Sequence, residues 1–330
     1  MAKAPKTGLA PDHKLVDRFA RELDQLIEPR QCIGVAVSGG PDSLALLFLS
    51  AAARPGLVEA ATVDHALRAE SPAEAEAVGA ICKRLGIPHS ILTVEWEEQP
   101  KAALQERARN ARYALLATWA REKKLGALIT AHHADDQAET FVMRLLRGAG
   151  VKGLAGMRRF ANAPGTQLPL LRPLLGWRRS ELVQLCADVG ANPIDDPSNA
   201  DEQFERVRIR QALAGADWFD PAAVALSAAN LAQADAALHW AVAQEWERGV
   251  TNGGGQIVYR PTDAPREIRR RIARRAILSL ASEGSGDVRG PALDKLLVAL
   301  ADGRKATLRG VLCVGGKEWR FTKAPQRRGA

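Results

Sequence analysis

The sequence predicts an α/β fold, a parallel sheet with helices on both faces, joined to a smaller, mainly helical C-terminal domain. Three observations carry that expectation. Short apolar runs alternate with helical patterns over the first two-thirds of the chain, and strands separated by helices pair in parallel. A glycine-rich turn directly follows the first apolar run. Beyond residue 214 the composition shifts to alanine-rich and then arginine-rich helical stretches. The expected division is a catalytic domain over 1–214 and a basic, mostly helical contact domain over 215–330.

The elements follow in order. Ile33–Val37 reads as a strand entering the Gly-rich turn, and Ser43–Ala53 as a helix. Val58–Val63 is the next strand and Pro72–Leu85 the next helix, with Ser71 as its N-cap. Ile91–Val94 leads to a helical stretch over Ala103–Lys124. A fourth strand, Ala127–Ala131, precedes a helix from about Ala134 to Arg147. Gly148–Gly156 and Ala161–Gln167 read as loops, Leu168–Leu175 as extended, Arg178–Val189 as helix and Asn192–Asn199 as irregular. An alanine-rich helix through Glu247, a turn at Asn252–Gly255 and a basic helix over Arg266–Leu280 come next. A hairpin of Thr307–Val314 and Glu318–Thr322 turns at Gly315-Gly316. In open parallel sheets ligands bind beyond the carboxyl ends of the strands. The turn at 38–43 and the segment around His132 both belong at that edge.

Lysine and arginine total 46 against 38 aspartate and glutamate, a net charge of +8 that suits a polyanionic partner. Cys32, Cys82, Cys186 and Cys313 include no CxxC pair, which argues against a zinc ribbon or a redox dithiol. All four read as buried small hydrophobes in a reducing compartment. The N-terminus lacks the apolar core of a signal peptide, and the densest apolar run, Leu44–Ala53, is far short of the ~20 residues that span a bilayer. No membrane partner is expected, and the expected location is the cytoplasm.

The turn Ser38-Gly39-Gly40-Pro41-Asp42-Ser43 is neither a Walker A loop nor GxGxxG. It still has the physics of a phosphate cradle: two glycines let backbone N–H groups approach an anion, two serines add hydroxyls, and a helix start follows. The competing reading is an ordinary capped strand-to-helix turn. The full six-residue string after a buried strand favours the cradle. After the fourth strand, His132-His133-Ala134-Asp135-Asp136 and Glu139 gather two histidines and three carboxylates. Placed on one helix, His132 lies a turn from Asp135 and Asp136, and Asp135 and Glu139 form a like-charge i,i+4 pair. The plain reading is an acidic, solvated first turn. The functional reading is a magnesium and substrate-amine site, with His132 or His133 contacting nucleotide phosphates.

These residues carry a resemblance. SGGPDS is similar to the pyrophosphate loop of N-type ATP pyrophosphatases, the PP-loop proteins. His132 to Met157, Val63–Arg68 (with Ala66 where glycine is usual), Glu106–Tyr113, Arg172–Leu175, Asp196–Asn199 and Phe204 with Arg206–Arg210 (Val207 where asparagine is frequent) resemble tRNA(Ile)-lysidine synthases in order along the chain. The resemblance implies ATP and Mg2+ as cofactors, with Ser38, Gly39, Gly40, Pro41, Asp42 and Ser43 around pyrophosphate. It implies adenylation of the C2 oxygen of cytidine 34 in a tRNA(Ile) with a CAU anticodon. Free lysine then displaces AMP, giving lysidine and moving codon reading from AUG to AUA. Asp42 and Asp135 fall nearer the metal, and Asp136 and Glu139 around the lysine. Arg206 and Arg208 are placed on phosphate charge, and Arg109 and Arg112 on phosphates or RNA, or paired with Glu106.

The basic helix near Arg266–Leu280 is either a solvated face or a surface following RNA phosphates. Trp218, Trp240 and Trp246 are candidates for stacking on bases, with core packing the more ordinary role. A monomer or homodimer suits the length. Two other functions remain open on the residues alone. A small-molecule PP-loop synthetase would need an ammonia source, and a non-catalytic RNA-binding protein would leave the loop and carboxylates without a purpose.

Overall fold

The computed structural model describes residues 10–68, 70–96, 104–194, 201–282, 288 and 290–325. Contacts divide the chain into two units, Met1–Ala232 and Gln233–Ala330, with the division inside a long helix.

The first unit is built on a six-stranded sheet. Its strands are β1 (Ile33–Ala36), β2 (Val58–Asp64), β3 (His89–Thr93), β4 (Ala127–Ile129), β5 (Phe160–Asn162) and β6 (Pro169–Leu171), in the order β3-β2-β1-β4-β6-β5. All neighbours are parallel except β5 and β6. The sheet is therefore mostly rather than wholly parallel. Ala163–Leu168, read from sequence as part of a loop, is too short for a crossover, so β5 and β6 close as an antiparallel hairpin. The helices of this unit are α1 (His13–Asp24), α2 (Pro41–Ala53), α3 (Ser71–Leu85), α4 (Leu104–Glu122), α5 (Ala134–Leu145), α6 (Val151–Leu154), α7 (Arg179–Asp188) and α8 (Glu205–Ala214). α9 (Pro221–Gly249) runs on into the second unit. α1 has no counterpart in the sequence reading, and α6 lies in a stretch expected to be loop.

Strand alternation sends side chains to two cores. Ile33, Val35, Ile129 and Leu171 pack with α1, α2 and α7 residues such as Phe19, Phe48 and Leu182. Leu128 and Leu170 face the other way, onto Tyr113, Leu116 and Trp119 of α4. α2 is buried from Ser43 to Ser50, so it is apolar on every side and shows no helical stripe. Gly34 admits α4 to the sheet: a Cβ there would lie 2.6 Å from the Trp119 ring.

The order β2-β1-β4 creates the site. The chain leaves β1 toward β2 on one side and returns to β4 on the other, so the segments after β1 and β4 part at a topological switch point. Ser38 and His132 each stand three residues past the registered pair Val35–Ile129.

The second unit corrects the expectation of a mainly helical domain. It contains α10 (Arg266–Leu280) and α11 (Gly290–Ala301), together with a five-stranded antiparallel sheet. The strands β7 (Val250–Gly253), β8 (Gln256–Tyr259), β9 (Lys305–Leu308), β10 (Val311–Val314) and β11 (Trp319–Lys323) run in the order β7-β8-β11-β10-β9. Strands of four or five residues are too short to display a clear alternation. The turn after Asn252 was legible, whereas the strands it joins were not. The anticipated strand Thr307–Val314 breaks in its middle, because Arg309 and Gly310 take φ +54° and +72° and form a two-residue hairpin turn. Ile272, Ala276, Leu296, Leu300, Cys313 and Phe321 fill the core of this unit.

Two further expectations change. Cys32 is exposed, while Cys82, Cys186 and Cys313 are buried. Trp218 and Trp240 are 80% and 68% exposed rather than core residues, and Trp246 packs against the second core beneath Arg275, 4.1 Å from its ring centre. Three of the six arginines of α10 meet acids of their own unit: Arg271 pairs with Asp235 at 2.8 Å and Glu267 at 2.8 Å, and Arg266 and Arg270 both reach Asp294. Among the described residues no helix is long and apolar enough to cross a membrane.

Candidate active site

The loop after β1 closes on its own hydroxyls. The Ser38 amide donates to Ser43 Oγ at 3.1 Å, and Ser43 Oγ donates to the Gly40 carbonyl at 3.0 Å. Gly39 takes φ +88°, and a Cβ there would meet Ile194 at 2.4 Å, so this position requires glycine on both counts. The Gly39 carbonyl in turn accepts the Ile194 amide at 2.9 Å. α2 begins at Pro41 with Gly40 as N-cap and no side-chain capping bond. Its first amides therefore point out of the helix end without a side-chain acceptor, the arrangement that receives an anion. Cys186 Sγ, missed as a neighbour of the loop, donates to the Pro41 carbonyl at 3.2 Å. Burial and the Asp42 charge push that thiol up to about 12, so it stays protonated and is no nucleophile.

α5 starts at Ala134, where the sequence reading began it, with His133 as its N-cap, so His132 precedes the helix and does not share its face with the acids. The two histidines consequently face opposite environments. His133 is buried among acids: its Nε2 lies 3.5 Å from Asp42 Oδ2 and 3.5 Å from Asp136 Oδ2, and its Nδ1 lies 3.6 Å from Asp135 Oδ2. Burial pulls its pKa down, but the bonds to Asp135 and Asp42 and the charges of Asp136 and Asp42 outweigh this and raise it to about 10. The Asp136 amide also lies 3.4 Å from Nδ1, and the Asp136 carboxylate accepts the His133 amide at 3.1 Å, so the two residues form a capping box. The ring is an imidazolium joining the loop after β1 to the start of α5. Asp135 is pushed below the usual carboxylate range: burial opposes this, but His133, the Arg179 amide at 2.8 Å and Arg178 dominate.

His132 sits on the other side, its Nδ1 2.9 Å from Thr130 Oγ1. Burial first, then the charges of Arg172, Arg112, Arg206 and Arg109, hold its pKa well below 6.5, so it is neutral at pH 7. Arg109 and Arg112 lie against Tyr113, with guanidinium carbons 5.1 Å and 4.9 Å from its ring centre. Arg112 Nε and Arg172 Nε are buried donors with no hydrogen-bond acceptor in the structure. Together these groups form a cationic wall facing a neutral imidazole.

α8 supplies the remaining contacts. Arg206 Nε donates to Glu139 Oε2 at 2.6 Å and its Nη2 to Asp136 Oδ1 at 2.8 Å, while Arg210 Nε donates to Glu139 Oε1 at 2.6 Å. Glu139 and Asp135 thus turn to different partners, which removes the repulsion expected of an i,i+4 acidic pair. Arg208 points elsewhere, donating to the Glu202 and Gln203 carbonyls. Positions 206 and 210 are one helical turn apart and 208 lies on the opposite side, so the phase of α8 was the signal that would have found Arg210. Arg172 had a topological signal: it directly follows β6, at the same sheet edge as His132 after β4. The Asp196–Asn199 motif and Arg327 and Arg328 lie outside the described residues.

The arrangement can grip a pyrophosphate on loop amides, hold acids within one contact of that loop, and offer a cationic wall to a polyanion. Comparisons with known proteins show the family. The PP-loop domain family matches residues 15–216. A tRNA(Ile)-lysidine synthase of Novosphingobium aromaticivorans is 48% identical over 306 residues, covering 92% of each chain. One from Zymomonas mobilis is 43% identical over 300 residues, covering 90% of each. Among solved structures, the U34-tRNA thiolase NcsA of Methanococcus maripaludis superposes with a TM-score of 0.54 at 16% identity, over 66% of this chain and 78% of its own, which shows the shared fold alone. With 61% of its length in the PP-loop match (202 of 330 residues) and full-length relatives well above 30% identity, the chain belongs to the tRNA(Ile)-lysidine synthase family of PP-loop proteins.

Proposed function

We propose that this chain uses ATP to join lysine to C2 of cytidine 34 in a tRNA(Ile) with a CAU anticodon, through an adenylated RNA intermediate. The observation that carries the reading is one contact. His133 of the carboxylate segment reaches Asp42 of the pyrophosphate loop at 3.5 Å, so the leaving group and the acids belong to one site. The full-length relatives that bear this name support the substrate assignment.

In the first step the cytosine O2 attacks the α-phosphate and pyrophosphate departs. Charge grows on the bridging oxygen, toward the amides of Gly39, Gly40, Asp42 and Ser43 and the hydroxyl of Ser38. Arg109, Arg112 and Arg172 offer the donors that balance the nucleotide and RNA phosphates. In the second step the lysine amine adds at C2 and AMP leaves. The amine must arrive deprotonated or lose its proton there, and neutral His132 and the carboxylates of Asp136 and Glu139 are the acceptors at hand. Asp136 and Glu139 already hold Arg206 and Arg210, so the cationic end of lysine enters in competition with two guanidiniums.

A magnesium ion fits at one point. Asp42 Oδ1 is buried and lacks a hydrogen-bond partner, a suitable single protein oxygen for a cation that keeps water and phosphate ligands. Asp135, the second metal candidate, has its oxygen engaged by His133 and the Arg179 amide, and fits less well. When bound, the ion would neutralise charge on the departing diphosphate.

Incubation with ATP, labelled lysine and tRNA transcript tests the proposal. Lysine incorporation that requires C34, with one AMP and one pyrophosphate per lysine, is expected. ATP cleavage without RNA would favour a small-molecule synthetase, and RNA binding without ATP use a passive binding protein. Asp42→Ala is expected to lower pyrophosphate release at least about a hundred-fold, the scale of a lost transition-state electrostatic contact.

A further inference from the structure

The turn between α8 and α9 carries a side chain with no role in the chemistry above. Trp218 is 80% exposed, and its indole meets the Phe219 ring edge-on, with centroids 5.8 Å apart and planes at 89°. With 80% of the residue exposed, this single ring contact leaves indole surface open to a partner. The turn under it is firmly built. The Ala216 amide donates to the Leu213 carbonyl at 3.2 Å, the Phe219 amide to the Ala216 carbonyl at 3.1 Å, and the Ala222 amide to Asp220 Oδ1 at 2.9 Å. The turn is also tied to the reaction site. Arg178 Nη1 donates to Asp220 at 3.0 Å, and Arg178 Nε lies 3.5 Å from Asp135, which accepts the neighbouring Arg179 amide at 2.8 Å. Two ion pairs therefore separate the base of this turn from the carboxylates.

We propose that Trp218 is a stacking platform for an unpaired base next to the cytidine being modified. The inference rests on the RNA reading above and deepens it. A cytosine whose O2 must reach a nucleotide on the loop after β1 has to leave the stack of its own strand, and its neighbour loses a stacking partner. A flat apolar face held by a rigid turn restores that partner without reading sequence. Charge does not explain the position. Asp217 is exposed beside the indole, and Asp220 below it is already paired, so the local field does not favour phosphate and the ring face is what remains to bind.

The test uses the full chain, ATP, lysine and tRNA transcript. Wild-type turnover is measured first; if it fails, the RNA reading itself falls and Trp218 is not the cause. With turnover established, Trp218→Ala is expected to raise KM for tRNA about ten-fold, the loss of one base–aromatic stack, with KM for ATP and lysine unchanged. Trp218→Phe should recover most of the loss. A transcript carrying 2-aminopurine beside C34 should be quenched on binding the wild type and not on binding Trp218→Ala. Because the side chain is exposed, thermal unfolding of both variants should match the wild type. A KM for tRNA within two-fold of wild type together with unchanged 2-aminopurine quenching overturns the proposal. So does an effect confined to sedimentation, which would make the indole a protein–protein contact.

Discussion

Ala66 adopts φ +52°, a left-handed backbone that L-residues avoid, in a turn pinned by Asp64: Oδ1 accepts the Ala66 amide at 2.8 Å and the Ser71 hydroxyl at 2.6 Å. The strain costs about 1–2 kcal/mol, and a glycine returns roughly half of that gain through its freer unfolded chain. Ala66→Gly should therefore raise unfolding free energy by about 0.5–1 kcal/mol in urea titration. An unchanged or lower midpoint would show that the turn relaxes without cost. His89 gives a pH dependence. Burial lowers its pKa below 6.5, and its Nε2 is 2.9 Å from Thr62 Oγ1. A histidine depressed in the native state binds more protons when unfolded, so its contribution is full above pH 6.5 and is lost as pH falls through the native value. Stability should decline on acidification from pH 6.5, and His89→Gln should flatten that decline relative to wild type. At this scale the site was legible where chemistry is written in short strings. The loop at 38–43 and the acids at 135–139 stand out because each gathers several chemistry-bearing residues in one short string after a strand. Arg172 and Arg210 lay inside noted strings but were given no role, because an arginine's neighbours in sequence do not say what its side chain will face.

Between elements, the contact of α5 with α8 depends on Glu139. This carboxylate is buried and meets two guanidiniums, and removing one leaves charge in a place that water reaches poorly. Arg210→Met is expected to cost about 1–3 kcal/mol of stability, and the double variant Arg210→Met/Glu139→Gln less than the sum of the singles. Strict additivity in urea unfolding would mean that the two side chains do not act on each other. Helix phase explains why this contact was hard to foresee. The pattern Arg206-Val207-Arg208-Ile209-Arg210 shows three cations, and only its folding into α8 separates the two that face α5 from Arg208. Strands β7 and β8 of the second unit were hidden for a different reason, whereas the hairpin of β10 and β11 was anticipated. Four-residue segments such as Gln256–Tyr259 gain their identity from cross-strand partners distant in sequence, here Trp319–Thr322.

For the molecule as a whole, the sequence conveyed the alternation of β1 to β4, because each of those strands is a short run followed by a helix, but not the β5–β6 hairpin. It did not convey that Arg266, Arg270 and Arg271 of α10 are already paired with Asp235, Glu267 and Asp294. A positive total says that an anion is welcome but not where. What fixes the distance between the two reagents is more elementary. The loop and the acidic segment spring from adjacent parallel strands at equal steps beyond one registered pair, and adjacent strands sit about 4.8 Å apart. That interval is set by backbone hydrogen bonding and not by any side chain. A lineage could thus rewrite the residues that choose the incoming nucleophile while the spacing to the leaving diphosphate persisted, like two tools mounted on one fixed rail.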